Sequence, residues 1–196
     1  MKAKDFIDQT RIELQEKSIH WSEPELLIKL QRSYTSLQFD LPFFMATKTL
    51  DIKKGICEYN LDDVVLKNIA FSINAQPYNF VDFESFFVRA DEKQYSFNDK
   101  VLMINQTPKL DTTATLAYRY LKQLENINCN IELPLIYHEA LRYLFMSKIH
   151  EKPTRNTKDR NLNKHYLALY QQELRELKTT KKQIRRKKIT SNYQKV

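Results

Sequence analysis

The chain has 196 residues, 42% of them apolar and 29% charged, enough for one packed domain with an appendage and too apolar for wholesale disorder. It holds a single glycine, Gly55, where ordinary usage of roughly 7% would give about fourteen. Phosphate loops of the G-x-x-x-x-G-K-[ST] and G-x-G-x-x-G types and the G-x-S-x-G elbow need several backbone positions that only glycine fills, so all three are excluded. The net charge of +8 is unevenly placed: residues 148–196 hold 15 Lys or Arg against 4 Asp or Glu, whereas residues 1–147 hold 17 against 20. The basicity belongs to the last quarter, and it points to a polyanion or an acidic partner surface.

The opening MKAKDFIDQTRIELQEK is charged throughout and lacks the apolar run of a secretory signal. No stretch approaches eighteen apolar residues, so no membrane span and no membrane partner are expected. Cys57 and Cys129 form no C-x-x-C pair, and two buried thiols in a reducing compartment are expected rather than a disulfide.

In chain order, Phe6, Ile7 and Leu14 predict an amphipathic helix over residues 3–18. Ser22-Glu23-Pro24-Glu25 reads as a capping box, with Ser22 as the cap and Glu25 reaching back to its amide. Trp21 and Leu26 read as the accompanying hydrophobic staple, and Pro24 fits the first turn of a helix over 22–41. Leu26, Leu27, Leu30, Tyr34 and Leu37 carry its stripe, and Pro42 ends it.

A β-rich insertion is expected over about residues 64–121. Four short strands show alternation there: Ile69-Phe71-Ile73, Tyr95-Phe97, Leu102-Ile104 and Leu116-Tyr118-Tyr120. Ala75-Gln76-Pro77 turns the chain, Asp82 to Phe87 forms a short helical turn, and the tight spacing predicts an antiparallel sheet without parallel crossovers.

Helix returns over 133–150, where Ile136, Tyr137, Ala140, Leu141, Leu144 and Phe145 form a wide apolar face. A last helix is expected over 156–177, with Leu162, Tyr166, Leu169, Tyr170, Leu174 and Leu177 inward. Beyond Leu177 the stripe fades, so residues 178–196 are expected to form a basic tail, mobile until assembled, behind a single domain over 1–177. The fold class so read is α+β: mainly a helical bundle of about four helices, with an inserted small antiparallel β-sheet segment and that tail.

Local chemistry is sparse. His138-Glu139 opens like H-E-x-x-H, but Arg142 stands at the second ligand position, and no Glu-x-x-His pair occurs. Asp62-Asp63 reads as a turn feature. No catalytic residue, metal or cofactor is expected, and the chain does not read as an enzyme. The one feature with a partner written into it is the tail, where Lys178, Lys181, Lys182, Arg185, Arg186, Lys187 and Lys188 put seven cations in eleven residues. Contacts with phosphates would make its affinity salt-sensitive and indifferent to sequence. Ile184 and Ile189 are large aliphatics that a purely phosphate-binding tail does not need, and they read as anchors for a shallow apolar groove on a partner. On a continued helix, 181, 185 and 188 share one face and 182 and 186 another, so protein could be met on one side and DNA on the other.

The order of motifs has a counterpart. W-S-E-P-E-L-L-I-K-L-Q-R-S-Y from Trp21 resembles the W-x-[DE]-x-E-L-L opening of tailed-phage head–tail adaptor proteins, also called connectors or head-completion proteins. V-V-L-K-N-I-A-F-S-I-N-A-Q-P-Y (64–78) is similar to their strand–turn segment, which often carries Asn-Gly-x-Pro; here Ala75 replaces that glycine. T-A-T-L-A-Y-R-Y (113–120), I-E-L-P-L-I-Y-H-E-A-L-R-Y-L (131–144) and N-K-H-Y-L-A-L-Y-Q-Q-E-L (163–174) complete a collinear set over most of the chain. The resemblance implies a virion structural protein at the head–tail junction, assembled in the host cytoplasm. Such a subunit forms a homo-oligomeric ring, a dodecamer, below the portal protein ring. It joins the portal to the tail or next neck protein, lets double-stranded DNA pass through its bore, and docks on the portal by its C-terminal segment. The alternative from the residues alone is a soluble nucleic-acid-binding regulator using the basic tail. A regulator would present a reading helix with Arg, Asn or Gln free to face a groove, whereas these helices commit their stripes to a core.

Overall fold

The computed structural model describes residues 1–15, 21–86, 92–106, 108–151 and 157–193, with side chains as far as residue 180 apart from those of Gln15, Thr157 and Lys158. Among the described residues there are four α-helices and eight strands in two sheets. The chain divides into two compact units, Met1–Asp40 with Gln123–Val196, and Leu41–Lys122. This overturns the expected mainly helical bundle with a small sheet insert, because the β unit is a two-sheet body with its own core.

The helical unit contains α1 (Ala3–Gln15), α2 (Glu23–Asp40), α3 (His138–Ile149) and α4 (Thr157–Tyr193). The first amides of α1 would lack acceptors, and the returning segment supplies them: Ala3 N–H donates to Cys129 O and Lys4 N–H to Ile127 O, both at 2.9 Å. Phe6, Ile7 and Leu14 are buried, with the Phe6 ring 5.6 Å from that of Phe145. At the start of α2, Glu25 Oε2 accepts from both Ser22 N–H (3.0 Å) and Ser22 Oγ (2.7 Å). The Lys29 ammonium donates to Lys148 O at 2.6 Å, placing a cation at the C-terminal, negative end of the α3 dipole. Arg142 and Glu13 tie α3 to α1 at 2.6 Å, and Tyr170 Oη donates to Asp40 Oδ2 at 2.6 Å, tying α4 to α2.

One stripe residue departs from expectation. Ile136 is 59% exposed, because Leu135–Tyr137 form a 3-10 turn ahead of α3 and only Tyr137 turns inward.

The β unit begins at Leu41, well before the expected start near residue 64. Its strands are β1 (Met45–Ile52), β2 (Glu58–Asn60), β3 (Val64–Ile73), β4 (Gln76–Pro77), β5 (Asn79–Phe80), β6 (Gln94–Asn98), β7 (Val101–Ile104) and β8 (Thr112–Leu121). They form sheets of order β1-β8-β3-β4 and β2-β7-β6-β5. In β1 the more buried row is Ala46, Lys48, Leu50 and Ile52, so a lysine in an inward register hid the alternation. That lysine is held by Asp62 Oδ2 at 2.8 Å and Asp63 Oδ2 at 3.4 Å. The all-antiparallel expectation is also corrected: β5 runs parallel to β6, pairing Asn79 with Gln94 and Phe80 with Tyr95. The connection between them, residues 81–93, is long enough for such a crossover, and its 3-10 turn spans Phe83–Ser85.

The two-residue loop joining β3 to β4 holds Asn74 at φ 50° and Ala75 at φ 60°, as a type I′ hairpin requires. Asn tolerates that region, whereas the alanine Cβ is strained there. Ala75→Gly is therefore expected to stabilise the protein by about 1 kcal/mol. A thermal melt that is unchanged or lowered would show that the loop carries no such strain. Gly55, at φ 77°, closes the turn in which Ile56 N–H donates to Lys53 O at 3.2 Å; a Cβ there would meet open space, so the requirement is one of backbone conformation.

Phe71, Tyr95, Leu102, Leu116 and Tyr118 are buried between the sheets, and the Phe71 ring lies 5.1 Å from Tyr95 and 5.4 Å from Tyr78. Both cysteines are free; Cys57 is exposed, contrary to the expected burial, and Cys129 is half-buried.

Candidate functional site

The α4 helix packs against α3, and its backbone then runs on to Tyr193. Tyr170, Leu174 and Leu177 are buried at helical spacing, and Leu162, Tyr166 and Leu169 are half-buried on the same row. Among the described side chains Leu177 is the last of them, for Lys178, Thr179 and Thr180 are exposed. The two threonines bond back into their own helix, Thr179 Oγ1 to Arg175 O at 2.8 Å and Thr180 Oγ1 to Glu176 O at 3.0 Å. Backbone helix then continues to Tyr193, about 24 Å beyond Leu177 at 1.5 Å per residue. The sequence placed the helix end at 177 because its apolar stripe ends there. The backbone runs on because Lys, Arg and Gln are good helix formers and neither Gly nor Pro follows.

This extension carries the predicted cations Lys181, Lys182, Arg185, Arg186, Lys187 and Lys188 together with Ile184 and Ile189, whose side chains lie outside those described. Lys178, the first of the series, is exposed. Ile184 stands seven positions after Leu177, two helical turns along the same face. Lys178–Lys182, Lys181–Arg185 and Lys182–Arg186 are like-charge pairs at i,i+4, each costing the isolated helix roughly 0.2–0.5 kcal/mol. Just before the extension the sign reverses: the half-buried Glu173 carboxyl is held above its ordinary range by burial and by the nearby Glu176 and Glu139.

The sequence model of one family, described as SU10 adaptor protein, matches residues 1–193, a span that takes in both units and the whole of α4. The chain belongs to the SU10 adaptor protein family. This is a phage head–tail adaptor family, structural in role, and the virion is its place of work. No curated protein matches the sequence.

The other residues singled out by sequence have structural settings in the adaptor. Ser22 and Glu25 form the cap described above, and Trp21 is half-buried, with the Lys29 ammonium 4.6 Å over its ring. Trp21→Ala is accordingly expected to cost about 2 kcal/mol, short of the roughly 3–5 kcal/mol of a fully buried tryptophan. A melt shifted by the larger amount would put the indole wholly in the core. His138 Nε2 lies 3.2 Å from Leu133 O. Among the described residues, no three His, Cys, Asp or Glu side chains are grouped to hold a metal, and no helix is long and apolar enough to cross a membrane.

Asp62-Asp63 belongs to a network that sequence reasoning missed. The buried Tyr118 Oη donates to Asp63 Oδ2 at 2.5 Å, while Asp62 and Asp63 flank the Lys48 ammonium. No local signal marks this set, because sheet pairing brings its members together from β1, β8 and the turn before β3.

The network makes the adaptor sensitive to alkali. Burial and then Asp63 push the Tyr118 hydroxyl up to about 12, and the hydrogen bond to Asp62 raises Lys48 above its ordinary value. An unfolded tyrosine ionises near 10, so the unfolded chain releases this proton first. The stabilisation is complete below pH 10 and is lost as pH rises from 10 through 12. Urea unfolding across that window should show the decline, with a shallower slope in Tyr118→Phe; identical slopes would remove Tyr118 from the explanation.

Proposed function

We propose that this adaptor forms a ring, a dodecamer, below the portal protein ring, connecting it to the tail or next neck protein while double-stranded DNA passes through the bore. The α4 extension is its docking element. The observation that supports this reading is a helix whose backbone continues about 24 Å past Leu177, the last buried residue of α4 among the described side chains, while carrying seven cations in eleven residues. The mutual repulsion of these cations is relieved by an acidic or phosphate-bearing surface.

Position is fixed by protein contact, with Ile184 and Ile189 seated in an apolar groove of the portal and Lys178, Lys181, Lys182, Arg185 and Arg186 on carboxylates around it. Lys187 and Lys188 add the salt-sensitive part, shared with DNA phosphates in the channel. Cryo-electron microscopy of the virion neck tests the reading: twelve copies should be traceable between portal and tail, each with its α4 extension against the portal. A neck without this chain, or with α4 directed away from the portal, overturns it.

A further inference from the structure

Beside the connection from β7 to β8, the β unit holds a cavity of about 450 Å³. Its walls come from both sheets: Ile73 and Thr112 at the ends of β3 and β8, Gln76 from β4, and Lys93 from the position just ahead of β6 in the other sheet. Buried Ile73 and half-buried Tyr78 give it an apolar side, and Leu110, 75% exposed, lines it as well. The loop that carries Leu110 is pinned at several points. Gly55 N–H donates to Pro108 O at 3.1 Å, Lys54 N–H to Asp111 Oδ1 at 2.8 Å, and Thr112 Oγ1 to Asn74 Oδ1. A leucine held out in water by a fixed loop is preorganised for contact, since little conformational freedom is left to lose on binding.

The charges around this cavity do not balance. Among the described residues Asp111 is its one carboxylate, and both oxygens are engaged, Oδ1 by Lys54 N–H and Oδ2 by the Lys53 ammonium at 3.3 Å. Lys109 is exposed and has no ion pair among the described residues. The Lys93 ammonium donates to the neutral side-chain oxygen of Gln76 and has no carboxylate either. Two uncompensated cations therefore share a cavity with three large apolar side chains.

We propose that this cavity takes an internal acidic segment of another virion protein, with Asp or Glu carboxylates on Lys93 and Lys109 and an aliphatic side chain against Ile73, Tyr78 and Leu110. Charge complementarity requires the acid, because each ammonium keeps donors that no carboxylate meets. The apolar lining requires a peptide, because a DNA backbone would satisfy the lysines and leave Leu110 and Tyr78 against charge. The volume is within the roughly 300–1,000 Å³ of ordinary binding pockets. Every lining residue belongs to the β unit, so this docking point is additional to the α4 extension and is tested separately from it.

The test is fluorescence anisotropy of the full-length protein with a labelled, C-terminally amidated peptide of alternating leucine and aspartate. A photo-leucine form of the same peptide is then cross-linked and its adducts are mapped by mass spectrometry. Adducts should fall within residues 73–78 and 106–112. Affinity should drop by at least about tenfold in Lys93→Gln/Lys109→Gln and also in Leu110→Ser, and it should weaken with added salt. All three substituted side chains are exposed, so circular dichroism melts should match that of the wild type. A peptide that fails to bind at millimolar concentration, adducts confined to the basic segment beyond Leu177, or full affinity in the double lysine variant overturns the proposal and leaves the α4 reading in place. A short DNA duplex that depends on the same two lysines, together with a peptide indifferent to Leu110→Ser, assigns the cavity to phosphate and overturns it equally.

Discussion

Cutting the chain after Leu177 is expected to leave the fold intact and to abolish attachment to the portal. Leu177 is the last buried residue of α4 among the described side chains, and the sequence beyond it holds few apolar residues to bury. The melting temperature should stay within a few degrees of the full-length value, because surface changes away from packed features fall within about 0.5 kcal/mol. Loss of attachment should be complete, since the seven cations and both isoleucines of the docking element leave together. Ile184→Asp separates the two kinds of contact. It keeps every cation and places a carboxylate where the groove is apolar, so it should block attachment at all salt concentrations. Attachment of Ile184→Asp at wild-type levels would leave a purely electrostatic tail, and a large fall in stability on truncation would make the extension part of the core.

Phe71→Ala is expected to destabilise the β unit by roughly 3–5 kcal/mol, through lost burial and the cavity left behind. The ring is 1% exposed and touches Tyr78 and Tyr95, whose edge and tilted contacts are lost with it. For a unit of this size such a loss corresponds to a fall of at least about 12 °C in Tm. The β unit has its own core, so the part of the near-ultraviolet signal that comes from Tyr59, Tyr78, Tyr95, Tyr118 and Tyr120 should melt first while the helical signal at 222 nm persists. A single coincident transition would show that the two units unfold as one cooperative body.

How much of this was legible in the sequence depended on the range of the interaction. The cap at Ser22 and Glu25 involves residues three apart, and the structure forms its Glu25-to-Ser22 bonds. The inward rows of α2 and α4, repeating every three or four residues, were legible for the same reason. The β1 strand was not, because Lys48 sits in its inward row, and that register is tolerable only with Asp62 and Asp63 alongside. Parallel pairing of β5 with β6 was hidden because β5 is only two residues long, too short for any alternation to be read, although β6 showed it at Tyr95 and Phe97.

The sequence by itself determined what needs only local chemistry: the single glycine that excludes phosphate loops, the inward rows of α2 and α4, and the concentration of cations after Leu177. The collinear motifs carried the likeness to head–tail adaptors, and the family match over residues 1–193 bears it out. Tertiary structure decided the balance of the fold, because strand partners are set by pairings across dozens of residues, such as Met45 with Arg119 in β1 and β8. It also decided which apolar residues remain outside. Ile28, Phe39, Leu135 and Ile136 are ordinary aliphatic and aromatic positions in the sequence, and only the packing of α2 and the 3-10 turn before α3 leaves them facing water.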